Sequence, residues 1–169
     1  MSQRRPARLL ASVRLVAFDV DGVFTDGRFY LSNTGVESKA FCTQDGFGVR
    51  RLLSAGVEVA VISGRTSAAV AMRMDELGVR HVVQGCNDKI AAFETLIGAL
   101  GIDSAECAYV GDDVPDLPLL ARVGVSFAVA NAVPELHQAC DFSTQASGGF
   151  GAVREVCDML LDARRREAS

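Results

Sequence analysis

The chain has 169 residues, 49% of them apolar and 22% charged, which excludes a disordered or collagen-like chain. Its formal net charge of −4 lacks the basic excess of a nucleic-acid-binding domain, so nucleic acid is not expected as a partner. The basic N-terminal stretch is followed by no signal-peptide cleavage pattern. We expect a disordered N-terminal extension over residues 1–12 and a single domain over residues 13–169.

Short apolar, β-branched runs alternate with helical patterns along the chain, and several of the helical patterns stop at a glycine. This alternation is typical of a doubly wound α/β fold with a parallel sheet. The predicted strands are 15–18, 57–62, 81–83, 108–110 and 125–129, the predicted helices are 47–55, 67–77, 89–100, 116–121 and 152–165, and the helix-ending glycines are Gly56, Gly78, Gly101 and Gly124.

A β-hairpin over about residues 28–41 interrupts this alternation. Two strand patterns, 28–32 and 36–41, are joined by a three-residue loop that ends at Gly35, where a positive φ is needed. A lone hairpin is marginally stable in water, so we expect this one to pack on its own domain or on another subunit.

No apolar run approaches the roughly 18 residues that a membrane-spanning helix needs, so no membrane partner is expected. The five cysteines are odd in number, widely spaced and without a Cys-x-x-Cys pair, which indicates neither a disulfide framework nor a zinc site. Thiols of this kind are typical of a reducing compartment, and we expect a cytoplasmic protein.

Asp19 and Asp21 directly follow the first apolar strand. In open α/β sheets ligands bind beyond the carboxyl ends of the strands, and two carboxylates one residue apart can face the same crevice. One can attack a phosphate while the other transfers a proton. The alternative is an ordinary Asp-Gly turn.

Ser63, Gly64 and Arg65 follow the second long strand and precede a helix. Backbone N–H groups and the serine hydroxyl at such a position can hold an anion, although helix capping explains the same residues. Lys89 falls in the first turn of a helix, where the helix dipole disfavours a cation; a bound anion or a solvated lysine offset by Asp88 would explain it. Lys39 and Lys89 are the only lysines among 17 basic residues.

Asp112, Asp113 and Asp116 follow another strand, which brings them beside Asp19 if the two strands are neighbours. Capping of the next helix explains one or two of these acids but not the full set. Carboxylates at the ends of two strands form an oxygen-ligand site that suits Mg²⁺. A metal, a hydroxyl, backbone amides and a lysine in this order are the components of phosphoryl transfer.

In this order the residues resemble the haloacid dehalogenase superfamily of phosphohydrolases, and over nearly the whole chain they look like its family of 3-deoxy-D-manno-octulosonate (KDO) 8-phosphate phosphatases. The matching motifs are Asp19-x-Asp21-Gly-Val-x-Thr25-Asp26-Gly27, Phe41-x-x-x-Asp45-Gly46-Phe47-Gly48, Ser63-Gly64-Arg65, Gln84-Gly85-x-x-x-Lys89, Gly111-Asp112-Asp113 and Gly148-Gly149-x-Gly151-Ala152-Val153-Arg154-Glu155.

The resemblance implies a Mg²⁺-dependent hydrolysis of KDO 8-phosphate through an aspartyl-phosphate on Asp19, in lipopolysaccharide sugar biosynthesis. It makes Asp21 the acid/base and implies Mg²⁺ ligation by Asp19, Asp112 and the backbone carbonyl of Asp21. It also implies that Ser63, Gly64 and Lys89 bind the phosphoryl group, that Asp113 and Asp116 support the metal ligands, and that Asp21, Asp45, Gly46, Arg65 and Arg73 contact the sugar acid.

The same resemblance implies a homotetramer without a cap domain, in which the hairpins pack together and a neighbour's C-terminal segment helps to close the site. The chain has no insertion large enough for a cap. It departs from the family at Phe150, where a basic or polar residue is common, and this bears on an intersubunit contact to the substrate.

Three other functions share parts of this pattern. A receiver-type phosphoacceptor domain places its acceptor aspartate on a middle strand, where this chain has Ser63 and no aspartate. A silent oligomerising module of the same fold would not need the complete set of aspartates, serine and lysine. A phosphatase for a nine-carbon sugar acid, such as KDN 9-phosphate, cannot be separated by fold-level reasoning.

Overall fold

The computed structural model describes residues 4–169 and contains one large parallel sheet flanked by helices. The helices are α1 (Arg4–Ala11), α2 (Thr43–Ser54), α3 (Ala68–Leu77), α4 (Lys89–Leu100), α5 (Leu117–Leu120), α6 (Pro134–Ala139) and α7 (Ala152–Glu167), and the strands are β1 (Leu15–Phe18), β2 (Tyr30–Leu31), β3 (Glu37–Ser38), β4 (Glu58–Ile62), β5 (His81–Val83), β6 (Cys107–Gly111), β7 (Val125–Ala128) and β8 (Phe142–Ser143).

The six-stranded sheet has the order β5-β4-β1-β6-β7-β8, and all its strands are parallel. Its central strand β1 is buried along its whole length, which explains why it appears in the sequence as an unbroken apolar run. Alternate β1 residues enter two separate cores: Val16 and Phe18 join the core under α2 and α7, while Leu15 and Ala17 join the core under α4. The predicted doubly wound α/β fold is confirmed.

The hairpin is shorter than predicted. Its ladder pairs only Tyr30 with Ser38 and Leu31 with Glu37. The loop is as predicted, since Gly35 has a φ of +82° and its N–H donates to the carbonyl of Ser32 at 3.0 Å. Within residues 4–169 the hairpin is the only excursion from the layered fold, and no cap domain is present.

Helix α2 begins at Thr43, four residues earlier than the predicted start at residue 47. Its first turns contain Gly46 and Gly48. Because glycine has a low helix propensity, these residues led to a predicted start that is too late. A Cβ at Gly48 would lie 3.2 Å from both Arg154 Cα and Cys157 Cβ of α7, so the glycine permits close helix packing.

Three of the four predicted helix-ending glycines have the expected backbone. Gly56, Gly78 and Gly101 have φ values of +77°, +79° and +62°. Gly124 was predicted wrongly, because its φ is not positive; a Cβ there would lie 2.0 Å from the Ala105 carbonyl oxygen. Its role is close backbone approach. No helix between residues 4 and 169 has the length and apolar character to cross a bilayer.

Candidate active site

The strand register places the chemistry-bearing residues at one edge of the sheet. Phe18, the last residue of β1, lies opposite Val61 of β4 and Val110 of β6. The residues that follow these strands therefore emerge together, as the sequence predicted. They line a cavity of about 240 Å³, whose walls are Asp19, Asp21, Ser63, Gly64, Arg65, Lys89, Asp112, Asp113, Pro115 and Asp116.

Asp19 is held rigidly at the bottom of this cavity. Its N–H donates to the Val110 carbonyl at 3.0 Å, which extends the sheet by one residue. Its Oδ1 accepts from the Val20 N–H at 2.8 Å and lies 3.1 Å from Lys89 Nζ. Burial and the charge of Asp116 raise the pKa of Asp19 to about 6, against the opposing effect of Lys89. The second oxygen remains free of these contacts and is the one available to a ligand.

Lys89 is the first residue of α4 and joins two carboxylates. Its Nζ lies 3.1 Å from Asp19 Oδ1 and 2.7 Å from Asp116 Oδ1. Burial disfavours the ammonium, but the two carboxylates outweigh this effect and raise the pKa of Lys89. Asp88 instead caps α4 by accepting from the Ala91 N–H at 3.0 Å. The alternative of a solvated lysine offset by Asp88 is therefore wrong.

Asp116 is 1% exposed and saturated with donors. Its Oδ1 accepts from Lys89 and, at 2.8 Å, from the Tyr109 hydroxyl. Its Oδ2 accepts from the N–H groups of Asp112 at 3.1 Å and Asp113 at 3.4 Å. Asp116 thus orients Lys89 and the Asp112 backbone. The Asp113 side chain accepts from the Val114 N–H at 2.7 Å, which is the predicted capping role.

The acidic groups fit a hard divalent cation. Oxygen atoms of Asp19, Asp112 and Asp116 all lie within 4.8 Å of one another. Burial and the neighbouring carboxylates Asp19 and Asp116 raise the pKa of Asp112 to about 8, against the opposing effect of Lys89. Since Asp116 already has four donors, Asp19 and Asp112 are the side chains available to a metal. Two carboxylates with open oxygens match the preference of Mg²⁺.

Asp21 lines the same cavity on the side of the hairpin. Its Oδ1 accepts a short hydrogen bond from Lys39 Nζ, and its Oδ2 lies 3.9 Å from Arg65 Nε. Neither Lys39 nor its neighbour Glu37 had a predicted role. The scarcity of lysine was the available signal, because both lysines of the chain pair with an aspartate of the Asp19-x-Asp21 motif.

Ser63 follows β4 and is 3% exposed. Its N–H donates to the Val83 carbonyl at 2.9 Å, and its Oγ accepts from the Arg65 N–H at 3.3 Å. The N-cap position of α3 is Ser67, whose side chain makes no capping hydrogen bond and whose N–H donates to Gln84 Oε1 at 2.9 Å. The Ser63 hydroxyl is therefore not consumed by the helix and can donate to a ligand in the cavity.

Asp45, Gly46 and Arg73 are not brought to this cavity. Asp45 is 1% exposed, and its Oδ1 accepts from the Arg154 N–H at 2.9 Å in the first turn of α7. Gly46 and Arg73 line a separate cavity of about 260 Å³. Asp45 caps α7, and within one chain these three residues lie apart from the cavity at Asp19, so their contact with the sugar acid stays a prediction.

Another cavity, of about 720 Å³, lies between α2 and α7 and has no carboxylate in its wall. Its wall contains Arg50, Arg51, Arg164 and Arg165 together with Ser54, but no acidic residue or histidine that could activate the serine hydroxyl. The smaller cavity at the strand ends is the one with the elements of catalysis.

A family model described as haloacid dehalogenase-like hydrolase matches residues 81–154. The chain is 47% identical over 153 residues to the 3-deoxy-D-manno-octulosonate 8-phosphate phosphatase KdsC of Escherichia coli strain K12, which covers 90% of this chain and 81% of the relative. It is 44% identical over 154 residues to the phosphatase of the same name from Yersinia pestis, covering 91% of this chain and 82% of the relative.

Solved structures show the same similarity. The crystal structure of 3-deoxy-D-manno-octulosonate 8-phosphate phosphatase from Yersinia pestis has a TM-score of 0.93 at 42% identity, covering 96% of this chain and 88% of that one. The phosphatase of that name from Moraxella catarrhalis, in complex with magnesium ion, phosphate ion and KDO, has a TM-score of 0.94 at 39% identity, covering 98% of this chain and 95% of that one.

Proposed function

The chain belongs to the family of KDO 8-phosphate phosphatases within the haloacid dehalogenase-like hydrolases, and on that premise we propose that it hydrolyses KDO 8-phosphate to KDO and phosphate. The observation that carries the proposal is the placement of Asp19, Lys89, Ser63 and Asp112 around one small cavity at the strand ends.

Asp19 acts as the nucleophile. Its free Oδ2 attacks phosphorus, a P–O bond to Asp19 forms, and the bond from phosphorus to the sugar oxygen breaks. The departing oxygen takes a proton from Asp21. In the second half, Asp21 accepts a proton from water as the water oxygen attacks phosphorus, which releases phosphate and restores the Asp19 carboxylate.

Other residues hold the phosphoryl group while its charge redistributes. Lys89 supplies positive charge beside Asp19, at 3.1 Å, and the Ser63 hydroxyl with the N–H of Gly64 supplies hydrogen bonds to phosphate oxygens. Asp116 keeps Lys89 in place with a 2.7 Å ion pair, and its hydrogen bonds from the N–H groups of Asp112 and Asp113 fix the loop after β6.

Mg²⁺ is the cofactor of this proposal. Asp19, Asp112 and the backbone carbonyl of Asp21 would hold it, and when bound it neutralises charge on the phosphoryl oxygens. Asp113 and Asp116 support these ligands from behind. The phosphatase from Moraxella catarrhalis with magnesium and phosphate ions bound supports this assignment.

Arg65 is the side chain placed for the acid end of the sugar. It lines the same cavity as Asp19, and its side chain is 48% exposed. A guanidinium can bind a carboxylate through two parallel hydrogen bonds, which suits a sugar acid better than a neutral hexose.

The proposal includes assembly into a homotetramer through the hairpins. Tyr30, Leu31 and Val36 are 70%, 65% and 62% exposed, an apolar surface that self-association would bury. Phe150 is 71% exposed beside the loop at Gly148 and Gly149, which touches Gly22 and Thr25. We place the reaction in the cytoplasm, where the product serves lipopolysaccharide sugar synthesis; five free thiols are compatible with that compartment.

Phosphate release from a panel of substrates tests the proposal. The panel contains KDO 8-phosphate, KDN 9-phosphate, N-acetylneuraminate 9-phosphate and several hexose phosphates, each with Mg²⁺. We expect selective turnover of KDO 8-phosphate. If a nine-carbon substrate is turned over faster, that sugar acid phosphate replaces KDO 8-phosphate as the proposed substrate. If no member of the panel is turned over, a silent oligomerising module is favoured instead.

A further inference from the structure

The base of the hairpin contributes to a closed ring of alternating charge at the edge of the cavity. The ring consists of Asp21, Lys39, Glu37 and Arg65. Lys39 pairs with Asp21 and lies 3.6 Å from Glu37 Oε1, while Arg65 Nη2 donates to Glu37 Oε2 at 2.6 Å and its Nε lies 3.9 Å from Asp21. The Lys39 side chain is completely buried.

Glu37 is the least satisfied member of this ring. Its Oε1 is buried and has no hydrogen-bond donor, since Lys39 at 3.6 Å is too distant to donate. A buried carboxylate oxygen without a donor weakens the folded arrangement that contains it. Glu37 therefore occupies a carboxylate-binding position between Lys39 and Arg65, but only one of its two carboxylate oxygens accepts a hydrogen bond there.

The balance of charges indicates which carboxylate fits the position between Lys39 and Arg65 when a sugar acid is bound. Two cations, Lys39 and Arg65, face two anions, Asp21 and Glu37. A sugar acid whose phosphate lies at Asp19 brings a third carboxylate toward Arg65, and with Glu37 still present three carboxylates would face only two cations. If Glu37 leaves as the ligand arrives, each cation keeps one partner.

We propose that the Glu37 carboxylate is an internal surrogate for the carboxylate of the sugar acid and that the ligand displaces it from Arg65 and Lys39. This inference rests on the proposed function, because it takes the ligand to be a sugar acid. Glu37 thereby favours ligands that carry a carboxylate. A ligand without one cannot replace the contacts of Glu37 with Arg65 and Lys39, so Glu37 stays in place.

The hairpin is built so that Glu37 can leave while Arg65 stays. Glu37 lies on β3 and its side chain is 20% exposed, so rotation about its side-chain bonds can carry the carboxylate toward solvent while the pairing of β2 with β3 stays intact. The Arg65 guanidinium stacks over the Phe29 ring at 4.2 Å, a contact that does not involve Glu37. Phe29 thus holds Arg65 in place whether or not Glu37 is bound to it.

Product inhibition of the Glu37→Gln variant tests the inference. With p-nitrophenyl phosphate as the reporter substrate, the inhibition constants of KDO and of inorganic phosphate are measured for each protein. If Glu37 occupies the position between Lys39 and Arg65 in about nine-tenths of the molecules, only about one-tenth can bind the KDO carboxylate. Neutralising Glu37 should then lower the inhibition constant of KDO about tenfold. The inhibition constant of phosphate, which carries no carboxylate, should change far less.

Glu94→Gln is the matched control, since Glu94 also pairs with an arginine, Arg122 at 2.8 Å, but on an exposed surface away from the cavity. It should retain both wild-type constants. Unchanged or weaker KDO inhibition in Glu37→Gln overturns the inference, and so does an equal change for KDO and phosphate. These results are independent of whether the wild-type protein hydrolyses KDO 8-phosphate, which tests the proposed function separately.

Discussion

Lys89 and Asp19 form an ion pair, with 3.1 Å between Nζ and Oδ1, although they lie 70 positions apart on different elements. Each side chain is 13% exposed. The lysine begins α4 and the aspartate directly follows β1, so the pair exists only because β1 and the start of α4 meet at the same edge of the sheet. Coulomb attraction in this partly buried setting favours the ionised form of the Asp19 carboxyl.

Lys89→Met should lower kcat/KM by about 10²- to 10³-fold, because one preorganised charge beside the reacting phosphate is lost. The lysine lowers the pKa of Asp19, so its removal should also move the acid limb of the pH profile to higher pH. Lys89→Arg, which keeps the charge, should retain part of the activity. Steady-state rates between pH 5 and 9 check this, and a Lys89→Met rate within threefold of wild type contradicts it.

Gly22→Ala should weaken the metal site. A Cβ at Gly22 would lie 1.9 Å from Asp112 Oδ2, so the carboxylate must move. We expect the Mg²⁺ concentration for half-maximal activity to rise at least about tenfold, as for loss of a well-placed ligand or its support. Gly35→Ala is the control, because Gly35 has φ +82° against +87° at Gly22 but no neighbour within 4 Å. If the two variants need the same Mg²⁺ concentration, a clash between the new Cβ and Asp112 is excluded as the cause.

Mg²⁺ binding should release a proton near neutral pH. In the metal-free protein the pKa of Asp112 is raised to about 8 by burial and neighbouring carboxylates, so at pH 7 its carboxyl is mostly protonated. We expect release of about one proton at pH 7 and close to none at pH 9.5. Calorimetric titration in two buffers of different ionisation enthalpy measures this number, and Asp112→Asn should abolish it.

The same shifts fix how the stability of the metal-free protein depends on pH. Asp19 and Asp112, with pKa values of about 6 and 8, hold protons in the native state that the unfolded chain has lost. Their contribution is therefore greatest at low pH, and stability falls as the pH rises from about 4 to 8. Excess Mg²⁺ should flatten this part of the curve, and a stability that rises over this range would contradict the assignment.

Asp45→Ala should affect stability and leave catalysis nearly unchanged. Asp45 accepts from the Arg154 N–H at the start of α7, and loss of such a cap lowers the free energy of unfolding by about 1–2 kcal/mol. Asp88→Ala, which removes the cap of α4, is a control of the same kind. Denaturant unfolding and KM for KDO 8-phosphate are the two measurements. A large rise in KM at unchanged stability would restore Asp45 to the substrate site.

Much of the sheet and the site could be predicted, because the physics that creates them is local. β1 and β6 are buried on both faces and therefore appear as continuous apolar runs, and the strand-end positions of Asp19, Ser63 and Asp112 follow from parallel pairing. The motifs around these residues also supported a resemblance that reached the correct family.

The remaining features depend on contacts between distant residues. α1 is arginine-rich with no acid in its first turn, and it is anchored by Leu10, which is buried in the core that α7 lines. β8 has two residues at the edge of the sheet, too few for a periodic pattern. α6 did carry a signal, Pro134 at its first position followed by Glu135, which was overlooked.

The ring around Glu37 could not be predicted for a similar reason. Lys39 and Arg65 lie on different elements, and only folding of the hairpin over the strand ends brings them to one carboxylate. Residues 1–3 of the N-terminal extension lie outside the described part of the chain, so the expectation for them stays a prediction.

Hydrolysis of KDO 8-phosphate by the wild-type protein and by Asp19→Asn is the measurement that tests the account most directly. The wild-type protein should release phosphate in the presence of Mg²⁺. Asp19→Asn should retain less than about 1% of that rate with an unchanged circular dichroism spectrum, while Asp162→Asn, an exposed aspartate paired with Arg165, should match wild type. Substantial turnover by a folded Asp19→Asn protein would show that phosphate is not transferred to Asp19 and would contradict the proposed mechanism.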